Sequence, residues 1–338
     1  MILCTIATQN HLARALVLAE SIKKYMPQLK VVLCLLEKSL PKEFSNISFF
    51  DRVILAKDLF EHSFETKIFK YNAFQLANSL KAKLLLYSLK AFQQEEYFVY
   101  LDSDIEMKMS IEEIIHWFKG HDILLTPHLL KQPQNEELEI HVQQTGIFNS
   151  GFVAVKRSEN TTSFLNWWDE RLEEFCYLDL KKGIFYDQKW LNLAPCFYDV
   201  FTIRNPGYNI GIWNMADREV VEIGQNLFVY KNEPVRFIHY SGLLGNESQT
   251  LSQRLKSTIE NYNNKLESYN LNQLKQMDWS YNYFHDGTKI SEDTRKNYRQ
   301  FYDFLKIKLH NPFQYSNQFF NLKNIKQFIS GKGAGLKS

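Results

Sequence analysis

The chain has 338 residues, 45% of them hydrophobic and 15% aromatic, and a formal net charge of +2. That size and apolar content allow one large domain with an appendage. The near-zero charge argues against wholesale nucleic-acid binding, and no apolar run reaches the roughly 18 residues needed to span a bilayer. Cys4, Cys34, Cys176 and Cys196 lie far apart with no metal-ligand spacing, so they read as thiols of a reducing compartment.

Ile2–Ala7 is a compact apolar run without the basic flank of a signal peptide, which predicts a first strand and a cytoplasmic protein. Thr8-Gln9-Asn10-His11 follows, then a helical pattern over Leu12–Tyr25. Val31–Leu36 and Arg52–Ala56 read as further strands, and this β-α-β-β order predicts a mainly parallel sheet. Thr5, Ala7, Thr8 and Asn10, where the first strand ends, suit either contact with a nucleotide base or an ordinary helix cap. No G-x-G-x-x-G occurs there, which argues against a dinucleotide cofactor. Phe69–Phe92 reads as one or two helices, with Lys81 placed to reach a phosphate as a point charge.

Tyr97-Phe98-Val99-Tyr100-Leu101 runs straight into Asp102-Ser103-Asp104. A short aromatic and β-branched run is the pattern of a strand buried on both faces. Its carboxylates then fall at the carboxyl end of the sheet, where ligands of open α/β sheets bind. Two hard oxygen donors one residue apart suit Mg²⁺ or Mn²⁺ and leave coordination positions open for a diphosphate. Ser110-x-Glu112-Glu113 reads as a capping box opening a helix. Asp122–His128 reads as a strand, and Glu136–Val142 as an acidic mobile loop or lid.

Phe148-Asn149-Ser150-Gly151 opens another strand, where the glycine allows close approach by a ligand and Asn149 offers a donor and an acceptor. Ser163–Tyr177 carries an aromatic core stripe. Asp187 and Gln188 then stand at a helix start, where a carboxylate suits the dipole or points into a site. Gly207–Asn214, with Asn209, Trp213 and Asn214, reads as a site wall. Arg236–His239 is a strand ending in a histidine, either a structural residue or a third ligand beside the two aspartates.

Four motifs in this order, Tyr100–Asp104, Phe148–Gly151, Tyr186-Asp187-Gln188-x-x-Leu191-Asn192 and His239-Tyr240-Ser241-Gly242, resemble those of GT-A-fold glycosyltransferases. Within that fold they are most similar to the retaining family of glycogenin and the bacterial lipopolysaccharide α-galactosyltransferases. The resemblance covers roughly residues 1–245. It implies an α/β, Rossmann-like GT-A domain over 1–250, with a nucleotide half over 1–107 and a donor and acceptor half over 108–250, followed by a helical extension over 251–338. It implies transfer from a UDP-sugar to a glycan, glycolipid or protein acceptor, with retention. Mn²⁺ or Mg²⁺ would be held by Asp102, Asp104 and His239. Thr5, Ala7, Thr8, Asn10, Lys81, Ser103, Asn149, Ser150, Gly151 and Gly242 would hold nucleotide and donor, with Asp187 and Gln188 below the reacting carbon. One departure stands out. The family's Lys-Pro-Trp after His-x-x-Gly is replaced by Leu243–Ser248, so Ser252 or Arg254 is the candidate diphosphate contact.

Three rivals remain at this level. An inverting transferase of the same fold shares the motifs. A sugar-nucleotide nucleotidyltransferase normally has a Gly-rich basic loop after the first strand, which Thr8–His11 is not. A non-catalytic scaffold has no reason to keep every motif. From Tyr281 onward ten Lys or Arg stand against four acids, with Phe313, Tyr315, Phe319, Phe320 and Phe328 interleaved. Such a segment either packs its aromatics on the core or settles on an anionic leaflet at the inner membrane face.

Overall fold

The computed structural model describes residues 1–40, 48–133, 136–223, 226–241 and 255–331. The elements alternate as the sequence periodicity predicts: β1 (Ile2–Ala7), α1 (Leu12–Tyr25), β2 (Lys30–Leu35), β3 (Arg52–Leu55), α2 (Phe64–Phe69), α3 (Ala73–Ser79), α4 (Lys81–Ala91), β4 (Tyr97–Leu101) and β5 (Ile105–Met107). The second half carries α5 (Ile114–Trp117), β6 (Ile123–Pro127), α6 (Glu136–Thr145), β7 (Phe148–Lys156), α7 (Glu159–Phe175), a small hairpin of β8 (Leu178–Asp179) and β9 (Ile184–Phe185), α8 (Ala194–Phe197) and β10 (Val200–Thr202). A three-stranded antiparallel sheet follows, formed by β11 (Val221–Ile223), β12 (Asn226–Val229) and β13 (Glu233–Pro234), and then β14 (Phe237–His239).

Seven strands form one sheet in the order β10-β6-β7-β4-β1-β2-β3. All its pairings are parallel except those of β7, which runs antiparallel to both β4 and β6. Both faces are covered, which is why the strands are apolar without alternation. Ile2, Cys4, Phe98 and Tyr100 pack on one face with α4 and α7, whose Trp168 is fully buried. Leu3, Val31, Val99 and Leu101 pack on the other face with α1 and the helix Lys256–Ser268.

The chain beyond 255 belongs to the same cores. Trp279, Tyr281, Tyr298, Phe313 and Phe320 join the first cluster, so these aromatics are used in packing and are not free to enter a membrane. Arg295 is buried and its guanidinium donates to the carbonyls of Phe69, Tyr71 and Tyr281 at 2.7–2.8 Å. Arg299 donates to the Lys70 carbonyl at 2.6 Å. The helix Glu292–Gln300 thus grips the α2–α3 junction on the approach to α4 and Lys81. No helix among the described residues is long and apolar enough to cross a membrane.

Two local expectations are corrected. Residues 136–145 are a helix, not a loop: Glu136, Glu137 and Glu139 favour its positive N-terminal end, and Val142 and Thr145 are buried. The capping box at Ser110 does not form. Ser110 Oγ accepts from Glu112 N within a turn, and the helical segment begins only at Ile114.

Candidate active site

The last rung between β4 and β7 is Asp102 N donating to Gly151 O at 2.9 Å. Beyond it the chain turns through Ser103 and Asp104 into β5. That strand pairs antiparallel with β14, with His239 opposite Ile105, and Tyr240 N donates to Asp104 O at 2.9 Å. This register carries His239 across more than a hundred residues to the two aspartates. Its Nε2 lies 3.1 Å from Asp104 Oδ1 and 3.7 Å from Asp102 Oδ2. One ligand atom from each residue lies within 4.8 Å of the others. Burial opposes ionisation of both Asp104 and His239. Their mutual attraction prevails, holding the carboxyl of Asp104 below and the imidazole of His239 above their usual ranges.

The ring orientation is set from behind. His239 Nδ1 faces Asn209 Oδ1 at 3.3 Å, an acceptor that holds the ring so that Nε2 is the atom presented to the carboxylates. Asn209 in turn donates to Asn149 Oδ1 at 2.9 Å and Thr126 Oγ1 at 2.8 Å. Asn149 Oδ1 also accepts from Gly151 N at 3.0 Å. Asn214 closes the 209–214 turn, accepting from Gly211 N and donating to Asn209 O, each at 3.0 Å. A Cβ on Gly151 would fall 2.4 Å from His239 Cε1, so the residue that needs this glycine's clearance is His239. Two oxygen donors and an imidazole held by such a partner fit a divalent cation such as Mn²⁺ or Mg²⁺.

Lys81, only 1% exposed, lies 3.0 Å from Asp102 Oδ1 and 2.9 Å from Asp187 Oδ2. Its ammonium also faces Ser150 Oγ at 3.2 Å. Burial alone would lower its pKa, but Asp102 and Asp187 more than offset that and hold it above the usual lysine range. The group expected to meet a phosphate is thus the tie between Asp102 and Asp187. Tyr100 OH donates to Asp102 Oδ1 at 2.9 Å.

These groups floor a cleft of about 490 Å³. Ala7, Thr8 and Asn10 line one part of it, with the Thr8 hydroxyl donating to Asn10 Oδ1. Asp187 and Gln188 line another, the Gln188 amide donating to Thr145 O at 3.0 Å and Trp168 Nε1 to Asp187 O at 3.2 Å. Ser103, Asn149, Ser150 and Trp213 also line it, whereas Thr5, Gly151, Asn209 and Asn214 lie behind the wall. Gly242, Ser252 and Arg254 lie outside the described residues.

Several lining residues escaped the sequence reading. His128 directly follows β6, with its Nε2 3.3 Å from Asn149 Nδ2 and its pKa pushed down to about 4 by burial. His11, and Phe74 packed edge-on against Tyr186 at 4.9 Å, also face the cleft. Their positions at element ends were the only signal available.

No family model matches the chain. Among curated proteins, uncharacterised protein YfnF of Bacillus subtilis (strain 168) is 29% identical over 167 residues, covering 48% of this chain and 55% of that one. Uncharacterised protein YfnD of the same organism is 23% identical over 167 residues, 48% of this chain and 52% of that one. The chain spans about half the length of the curated relatives it matches. Among solved structures, galactosyltransferase LgtC with donor and acceptor sugar analogues aligns at a TM-score of 0.47 and 14% identity, over 79% of this chain and 96% of that chain. Glycosyltransferase GlyE of Streptococcus pneumoniae TIGR4 aligns at 0.44 and 12% identity, over 84% of this chain and 66% of that chain.

Proposed function

We propose that the chain is a metal-dependent glycosyltransferase of GT-A type, moving a sugar from a nucleoside-diphosphate sugar, by resemblance a UDP-sugar, to a glycan, glycolipid or protein acceptor with retention of configuration. The observation that carries this reading is the convergence of Asp102, Asp104 and the Asn209-oriented His239 at the carboxyl end of a mainly parallel sheet, on the floor of a cleft. Asp102, Asp104 and His239 would hold a divalent cation, which would offset the charge of a departing nucleoside diphosphate.

The chain's own groups complete the reaction site. Ala7, Thr8 and Asn10 take the nucleotide end of the donor. Asp187 and Gln188, fixed by Lys81 and by Thr145 O, face the donor sugar. Lys81 holds the Asp187 carboxylate in place, and the α6 wall with Phe74 and Tyr186 limits water and orients the acceptor.

A thermal-shift panel of nucleotides and nucleotide sugars, each with Mn²⁺ and with EDTA, tests the donor. Saturating UDP with Mn²⁺ should stabilise the fold by about 2–4 kcal/mol, and EDTA should abolish the shift. No shift with any nucleotide overturns the reading in favour of a scaffold. Proton NMR of the product tests retention, which a β-product from an α-donor refutes.

A further inference from the structure

A second cavity, of about 890 Å³, lies apart from the cleft, between α1, β5, the β11–β13 sheet and the helix Lys256–Ser268. Its floor is charged. Glu106 is 3% exposed, with its carboxylate 2.7 Å from Lys108 Nζ and 2.8 Å from Lys265 Nζ, and it accepts from Tyr240 OH at 2.9 Å. One carboxylate therefore serves two ammonium groups and leaves a positive charge over. Lys24 on α1 adds another to the wall. The cavity's other acid, Glu222, accepts from the hydroxyls of Ser257 and Thr258, which leave its charge in place, so the lining carries three ammonium groups against two carboxylates, an excess of one positive charge. A half-buried ammonium short of counter-charge is stabilised by an anion.

The rest of the lining is of two kinds. Ser257, Asn261, Asn264 and Ser268 recur at i, i+4, i+7 and i+11, so a single helix face turns hydroxyls and amides into the cavity over roughly 16 Å. Tyr25, Met107, Phe228 and Pro234 supply apolar surface. Hydroxyl and amide donors and acceptors along one wall, apolar surface, and one positive charge in excess match a polyhydroxylated molecule with an apolar face and a single carboxylate.

We propose that this cavity binds an acidic saccharide, with Lys24 and Lys265 on its carboxylate and Asn261 and Asn264 on its hydroxyls. The proposal does not depend on the transferase reading. The test is calorimetric titration of the full chain with trigalacturonate, neutral maltotriose and inorganic phosphate. Trigalacturonate should bind saturably, maltotriose about tenfold or more weakly, and phosphate should not displace it. Lys24→Gln with Lys265→Gln, which leaves Lys108 to pair with Glu106, should weaken trigalacturonate about tenfold or more. Asn261→Ala, at an exposed position, should weaken it with the fold intact by circular dichroism. Asp102→Asn, which alters the cleft, should leave it unchanged. Absence of trigalacturonate binding, binding unaffected by the lysine or Asn261 variants, displacement by equimolar phosphate, or loss in Asp102→Asn each overturns the proposal.

Discussion

Replacing Gly151 with alanine asks whether backbone clearance seats the His239 imidazole. A methyl there falls 2.4 Å from His239 Cε1 and 2.8 Å from both His239 Nδ1 and Asn149 Oδ1. Unstrained carbon contacts lie near 3.5–4.0 Å, so something must move by about 1 Å. The β7 backbone is a poor candidate, because the strand is interior to the sheet and Gly151 O accepts from Asp102 N. The displacement falls on the ring, which is closed in by Trp213 at 5.2 Å between centroids. Overpacking of this kind costs about 1–3 kcal/mol. Turning Nε2 from Asp104 should weaken Mn²⁺ binding about 10–100-fold, the scale seen when a ligand's outer partners are disturbed. Gly120→Ala is the matched control, since a Cβ there meets nothing within 4 Å. Calorimetric Mn²⁺ titration and urea denaturation give the two readouts. Wild-type metal affinity and an unchanged midpoint in Gly151→Ala would refute the reasoning.

Three further outcomes are expected. Lys81→Met leaves Asp102 and Asp187 without their shared cation and should cost about 3–5 kcal/mol by urea denaturation, toward the lower end because Asp102 keeps 24% exposure. Asn209→Gly preserves the left-handed backbone at φ 53° but removes the His239 Nδ1 partner, so Mn²⁺ affinity should fall about 10–100-fold with little unfolding; unchanged affinity would place ring orientation elsewhere. Lys70, whose ammonium has no hydrogen-bond partner among the described residues, is pulled down to about 7 by burial, which Glu173 and Glu174 only partly offset. Its unfolded value is near 10.4, so the unfolded chain binds more protons between the two values and stability should rise with pH across that window. Lys70→Met removes this penalty and should be the more stable form at pH 7, by on the order of 3–4 kcal/mol. The difference should close toward pH 10, and a pH-independent difference counts against the burial argument.

The parts of this protein legible in its sequence are those fixed by local period. The unbroken apolar runs of β1, β2 and β4 foretell strands covered on both faces, and the end of the β4 run places Asp102 and Asp104 at the sheet's carboxyl edge. Asp187 is legible as the residue just before the turn of helix that begins at Gln188, although its carboxylate makes no cap there and pairs with Lys81 instead. What period cannot supply is register between distant segments. His239 reaches the aspartates only because β14 pairs with β5, and Lys81 reaches Asp187 only because α4 and α7 pack on the same sheet face. The acidic stretch 136–142 misleads because its charge suggests solvent, while its helix is held by Val142 and Thr145.

Gly151 shows how a correct residue choice can carry an incomplete reason. A glycine after Asn-Ser at a strand start reads as room for a ligand, since only glycine leaves the backbone bare. The bare backbone here admits a side chain of the protein itself, and that side chain is a candidate metal ligand. The Asn149–Gly151 and His239 motifs are therefore one packing unit. Asn149 Oδ1 accepts from both Gly151 N and Asn209, and Asn209 accepts from His239. A carboxylate pair needs only a strand end. An imidazole aimed at that pair needs a cleared wall and a fixed ring orientation, which draw on residues 149, 151 and 209 together. Weakening any of the three should therefore appear first in metal affinity and only second in stability.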